Sequence, residues 1–192
     1  TGISLRDTGG SGLAPQTSQP ITVSFNVQGV NSAAPELNPS VLNSTASLKV
    51  GSPAPTGGGI PAGAVLVRDL VRPGQGGNVT DGDGDPTGVA IVASTNDATA
   101  WFSTDGGAKW TEVGAVSKER ARLLFADDKT WIYLQPKPGV EGSIPEAVTF
   151  RAWDRNSAIL GTTWTNGQGS INTSPVTTGR NLFSVYDTAS KT

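Results

Sequence analysis

Apolar residues in this chain recur mostly at every second position, in short runs broken by Gly, Pro, Asp and Asn. The clearest run is PITVSFNVQ (20–28). Ile21, Val23, Phe25 and Val27 fall on one side, with Thr22, Ser24, Asn26 and Gln28 on the other. Successive side chains of a strand point to opposite faces, so this run predicts a half-buried strand. GISLRDTGG (2–10) predicts a short strand and turn. Further strands are predicted at GAVLVRDLV (63–71), TGVAIVAST (87–95), TAWFS (99–103), KWTEV (109–113), RARLLFA (120–126), TWIYLQP (130–136), EAVTFRAWD (146–154) and NLFSVYD (181–187). TDGGA, after the third of these, and DDK, after the fifth, read as hairpin turns. Residues 29–63 are rich in Pro, Ser, Gly and Ala. They read as a linker with edge strands near Val41–Leu42 and Ala46–Val50. No stretch keeps a 3.6-residue period over three turns, so the expected class is an all-β antiparallel sandwich.

An internal echo sharpens the domain reading. Residues 3–27 run strand, Asp, glycine-rich turn, alternating strand, and 148–187 repeat that shape with a longer middle. Arg6-Asp7 answers Arg151-Ala152-Trp153-Asp154. Residues 1–30 therefore read as the end of one repeat and 31–192 as the next.

The stretches VNSAAPEL (30–37), DGDGDPTGVAIV (81–92), WFSTDGGAKWTEVGAVSKERARLLFADD (101–128), VTFRAWD (148–154) and DTASKT (187–192) together resemble the bacterial cadherin-like repeats of giant secreted and surface proteins. The resemblance implies an Ig/cadherin-like β-sandwich, repeated in tandem, often stiffened by calcium, in adhesins and envelope proteins. It also implies an extracellular or cell-surface location. The chain departs from that family at its joint, which usually reads Asn-Asp-Ala-Pro. Here Asn31-Ser32-Ala33-Ala34-Pro35 puts serine where a calcium-ligating aspartate would stand.

Composition narrows the chemistry. The 192 residues include no Cys, His or Met. Thiolate and imidazole metal sites, disulfides and Ser–His–Asp triads are thereby excluded, and any metal must be held by oxygen, which favours a hard cation such as calcium. The formal net charge of −2 argues against a nucleic-acid binder. No apolar run approaches the roughly 18 residues of a membrane span. The chain begins at Thr1, which reads as a processed or excised product.

NVTDGDGDPTG (78–88) carries the densest candidate chemistry. Asp81, Asp83 and Asp85 alternate like the opening of an EF-hand loop. Pro86 then stands where that loop needs glycine, and Val92 where it needs a bidentate glutamate, so it is not an EF-hand. The three carboxylates are either a calcium site or a solvated turn. STDGGAKW (103–110) fits the S-x-D-x-G-x-x-W aspartate box, a device that braces a hairpin through Asp105 and Trp110. Of the five tryptophans, Trp101, Trp110, Trp131 and Trp153 lie on predicted strands and read as packing residues. Trp164 lies in a polar loop and is the candidate for an exposed glycan contact.

These readings converge on a non-enzymatic structural or adhesive module. In one form it is a fibre or sheath subunit that self-associates head to tail. Ile21, Val23, Phe25 and Val27 would then fill the groove of the next copy by strand donation, because the final strand looks cut short at Thr192. In the other form it is one repeat of a calcium-dependent adhesin that binds glycan or a cell surface.

Overall fold

A computed structural model describes residues 2–3, 21–22, 34–38, 53–71, 78–82, 84–142, 144, 146–155, 163–174 and 182–184. The backbone divides into two units, Thr1–Val30 and Asn31–Thr192. In the first, β1 (Gly2–Ile3) pairs antiparallel with β2 (Ile21–Thr22), with Gly2 opposite Thr22 and Ile3 opposite Ile21. The candidate donor residues Val23, Phe25 and Val27 lie outside the described residues, as do the edge strands expected near 41–42 and 46–50.

Among the described residues of the second unit, the regular secondary structure consists almost wholly of antiparallel strands. They are β3 (Glu36–Leu37), β4 (Val65–Leu66), β5 (Val79–Thr80), β6 (Thr87–Ser94), β7 (Ala98–Ser103), β8 (Thr111–Glu112), β9 (Arg122–Phe125), β10 (Trp131–Pro136) and β11 (Val148–Asp154). One sheet has the order β4-β10-β7-β8 and a second β11-β6-β9, while β3 pairs with β5. The chain is all-β, with one short helix, α1 (Val67–Leu70), among the described residues.

The two larger sheets share a core. Val89 and Ile91 of β6, Leu124 of β9, and Phe150 and Ala152 of β11 pack with Ala100 and Phe102 of β7 and Ile132 of β10. The alternate residues of the second sheet are buried too. Ala90, Val92, Leu123 and Trp153 cluster with Ala121 and Leu182, flanked by Phe125, Trp164, Ile171 and Phe183. β6 and β11 are therefore covered on both faces, which is why TGVAIVAS reads as nearly continuous apolar residues. Covering segments also close both sheet edges. The Asp154 N–H donates to Leu182 O at 2.8 Å and the Ser184 N–H to Ala152 O at 2.9 Å, beside β11. The Leu123 N–H donates to Gln168 O at 2.7 Å and the Gly167 N–H to Leu123 O at 2.9 Å, beside β9. An edge with paired N–H and C=O groups is no longer a template for unwanted strand addition.

Two local expectations fail for identifiable reasons. The run at 63–71 is not one strand, since β4 gives way to the single turn α1. Val67 and Val71 are both fully buried, and Leu70 packs on the same core. Apolar residues at i, i+3 and i+4 suit one helical face, with Arg68 and Asp69 turned outward. Nor does DDK close a hairpin, because β9 and β10 belong to different sheets. Asp127 Oδ1 accepts from the N–H groups of Lys129 and Thr130 and from Thr130 Oγ1. That carboxylate fixes a corner from one sheet to the other rather than a return within one sheet.

TDGGA does close a hairpin, with Trp101 opposite Glu112 and Phe102 opposite Thr111. Asp105 Oδ1 accepts from the Lys109 N–H at 2.9 Å and from Ser103 Oγ at 2.8 Å. These bonds, the Lys109 N–H first, hold the Asp105 carboxyl below its ordinary value of 3.8. Trp110 lies edge-on to Tyr133 and donates its indole N–H to Gly59 O at 3.2 Å, which ties loop 53–60 to the turn.

Two outcomes follow from this packing. A Cβ at Gly88 would lie 2.6 Å from Leu124 O and 2.8 Å from Trp153 Cε3. Gly88→Ala is expected to cost about 1–3 kcal/mol, read from urea unfolding at constant m-value. An unchanged midpoint would show that Trp153 does not press on this glycine. For Asp105, a folded pKa below the unfolded one contributes stability present above pH 3.8 and lost as pH falls through the lower, folded value. The thermal midpoint gap between wild type and Asp105→Asn should therefore shrink as pH is lowered below 3.8. A constant gap would remove the carboxylate from the hairpin's stability.

Candidate metal centre

Asp154 ends β11 on the side that faces the shared core. Phe150 and Ala152 point inward, and Asp154 follows them at the same parity. It is fully buried. Its neighbour in the ladder is Thr87, the first residue of β6, so the turn that feeds β6 arrives beside it. The Arg155 N–H donates to Pro86 O at 3.0 Å and continues that pairing one step further.

The turn itself is closed by its own aspartate. The Asp85 N–H donates to Asp81 Oδ2 at 3.0 Å. Gly84 has a φ of 72°, a backbone conformation that glycine adopts without strain. Asp81 and Asp85 are half-buried. Their carboxylates join that of Asp154, with one oxygen from each within 4.8 Å of the others.

This separation is compatible with one shared cation. Oxygens that ligate one calcium at 2.3–2.6 Å can be no more than about 5 Å apart, so the three can share a single cation. Without one, each pair at such a distance repels by about 1–4 kcal/mol, depending on how much water reaches it. The donor set is all oxygen and anionic, which suits hard cations. Calcium takes six to eight oxygens, so backbone carbonyls of the turn or water would complete its shell.

The sequence pattern therefore located two of the three members. Asp83 lies outside the described residues. Asp154, the third carboxylate, is far from the turn in sequence and no local motif marks it. A signal was nonetheless present: an aspartate that follows Phe150 and Ala152 on the apolar face of a strand is costly unless its charge is compensated.

The remaining candidates are placed elsewhere. Trp164 is half-buried, edge-on to the fully buried Trp153 at 5.4 Å between centroids. Asn78, which opens an Asn-Val-Thr glycosylation sequon, is only 3% exposed and donates its side-chain amide to Leu70 O. A groove lined by 53–62 and Tyr133 holds no carboxylate, lysine or arginine. Among the described residues, no helix is long and apolar enough to cross a membrane.

Compared with family models, curated protein sequences and solved structures, the chain gives no match.

The cluster yields an outcome of opposite sign in two buffers. With chelator, Asp85→Asn should be at least as stable as wild type, because it relieves repulsion at similar shape. With calcium, the same variant should be the less stable one. Lower stability in both buffers would mean that the carboxylate braces the turn without a metal.

Proposed function

We propose that this chain is a non-enzymatic structural or adhesive module of a secreted or surface protein, with an Ig- or cadherin-like sandwich as its second unit and a calcium ion at Asp81, Asp85 and Asp154. The observation that carries this reading is the convergence of three carboxylates where the β5–β6 turn meets the end of β11. A cation there ties a surface turn to the most buried strand of the body. In a tandem array, such a tie stiffens the end of the module against bending and pulling. No catalytic role is assigned, since the role of the cation here is to neutralise and to clamp.

The pairing of β1 with β2 favours the array form of this reading over lone-strand donation. Ile21 and Thr22 already have a partner within their own unit. β1 and β2 then match the closing strands of a preceding repeat, in line with the sequence echo. Donation of 20–28 to another copy would first have to break that pairing, so the array form expects monomers. Light scattering at high concentration tests this, and regular filaments would restore donation through Ile21, Val23, Phe25 and Val27.

Calcium at a hundred times its Kd should stabilise the fold by about 2.7 kcal/mol, which raises the Tm of a chain this size by about 5–10 °C. Asp81→Asn should abolish most of that shift. An identical Tm in calcium and in chelator would overturn the calcium assignment.

A further inference from the structure

Where the corner at Asp127 meets the segment that covers β9, a buried hydroxyl lies between a carboxylate and a carboxamide. Thr130 is fully buried and stands immediately before β10. Its Oγ1 donates to Asp127 Oδ1 at 2.6 Å and accepts from Asn166 Nδ2 at 2.8 Å. The buried Ser103 Oγ also donates to a carboxylate, that of Asp105, but it accepts from backbone N–H groups. At Thr130 the second partner is instead an amide whose carbon carries a leaving group.

Both ends of that carboxamide are held. Asn166 Oδ1 accepts from the Phe125 N–H at 2.9 Å, while Nδ2 donates to Thr130. The next residue fixes the backbone. The Gly167 N–H donates to Leu123 O at 2.9 Å, and a Cβ at Gly167 would lie 2.9 Å from Phe102 Cε2. Asn166 is therefore pinned against both sheets.

These groups are the parts of an acyl transfer. A C–N bond of about 1.33 Å joins Nδ2 to Cγ, so Thr130 Oγ1 lies no more than about 4 Å from Asn166 Cγ. The Asn χ2 torsion has broad minima, and a turn about it closes that gap to the roughly 3–3.5 Å of a near-attack geometry. Asp127 is in place to take the hydroxyl proton. The Phe125 N–H already points at the oxygen on which negative charge would develop. Burial of Thr130 keeps water from competing as the nucleophile.

We infer that the folded chain joins Thr130 to Asn166 through an ester bond. Thr130 Oγ1 attacks Asn166 Cγ as its proton passes to Asp127. The tetrahedral intermediate collapses, the Cγ–Nδ2 bond breaks, and Asp127 returns the proton to the nitrogen, which leaves as ammonia. One C–O bond replaces one C–N bond, with no change of oxidation state and no co-reactant. The step occurs once per chain and takes no outside substrate, so it accompanies a non-enzymatic role. Its product ties the cover of β9, in one sheet, to the start of β10, in the other. It uses none of Asp81, Asp85 and Asp154, and so stands or falls apart from the calcium reading.

The test is intact and tandem mass spectrometry of the whole chain after prolonged incubation at neutral pH. The expected chain is lighter than its sequence by one ammonia, and a tryptic digest holds peptides 130–151 and 156–180 joined as one species. An Asn-Gly pair such as Asn166-Gly167 also loses ammonia when it closes a succinimide on its own backbone, which makes Thr130→Val the control. That variant keeps the shape of the side chain and should stay at full mass. Asp127→Asn keeps an oxygen for the N–H groups of Lys129 and Thr130, and should slow the loss by about a hundredfold or more, the usual contribution of a general base. The joined peptide is read on the wild type, so the result does not depend on either variant folding. A wild type at full mass, an ammonia loss that persists in Thr130→Val, a lighter chain whose two peptides remain separate, or an unchanged rate in Asp127→Asn would each overturn the proposal.

Discussion

The structure depends on the pairing of β6 with β11. Seven residues of β11 align with β6, and both strands are buried on their two faces. A strand covered on both faces has no solvent side on which to place polar groups. Every polar residue it keeps must be bonded or compensated inside the protein. The charged residues β11 keeps are Arg151 and Asp154, and each explains part of what surrounds it. Arg151 donates to Thr173 O and so reaches the covering segment. Asp154 meets the carboxylates of the aspartate turn at the end of the sheet.

The alternation of β11 therefore sorts its chemistry by face. Phe150, Ala152 and Asp154 point toward the shared core and its end, whereas Arg151 and Trp153 point toward the cover, as does Arg155 beyond them. Anionic oxygen gathers on one side and N–H donors on the other. A slip of one residue in register would exchange these sets and bury charge in the core. The bulge between Thr149 and Phe150 precedes the sorted stretch and leaves its alternation intact.

Much of this was legible along the chain. β11 was visible by its two-residue alternation, and β6, β7 and β10 as short apolar or aromatic runs bounded by turn residues. The hairpin at TDGGA was visible because Ser103, Asp105 and Gly107 form a local device. What failed depended on distant partners. DDK carries hairpin chemistry, but the sheet to which β10 belongs is decided by its pairing with β4 and β7. VLVRDLV suits both a strand and a helical turn, and burial of Val67 and Val71 on one core selected the turn. Asp81 and Asp85 were marked by their spacing. Asp154 became a partner only through the register of β11 on β6.

The most direct test of the central claim is anomalous diffraction from crystals grown with calcium. The expected result is a peak about 2.3–2.6 Å from carboxylate oxygens of Asp81, Asp85 and Asp154, with carbonyls or water completing the shell. A structure at calcium saturation with no peak there, and with the three carboxylates turned apart, would contradict it.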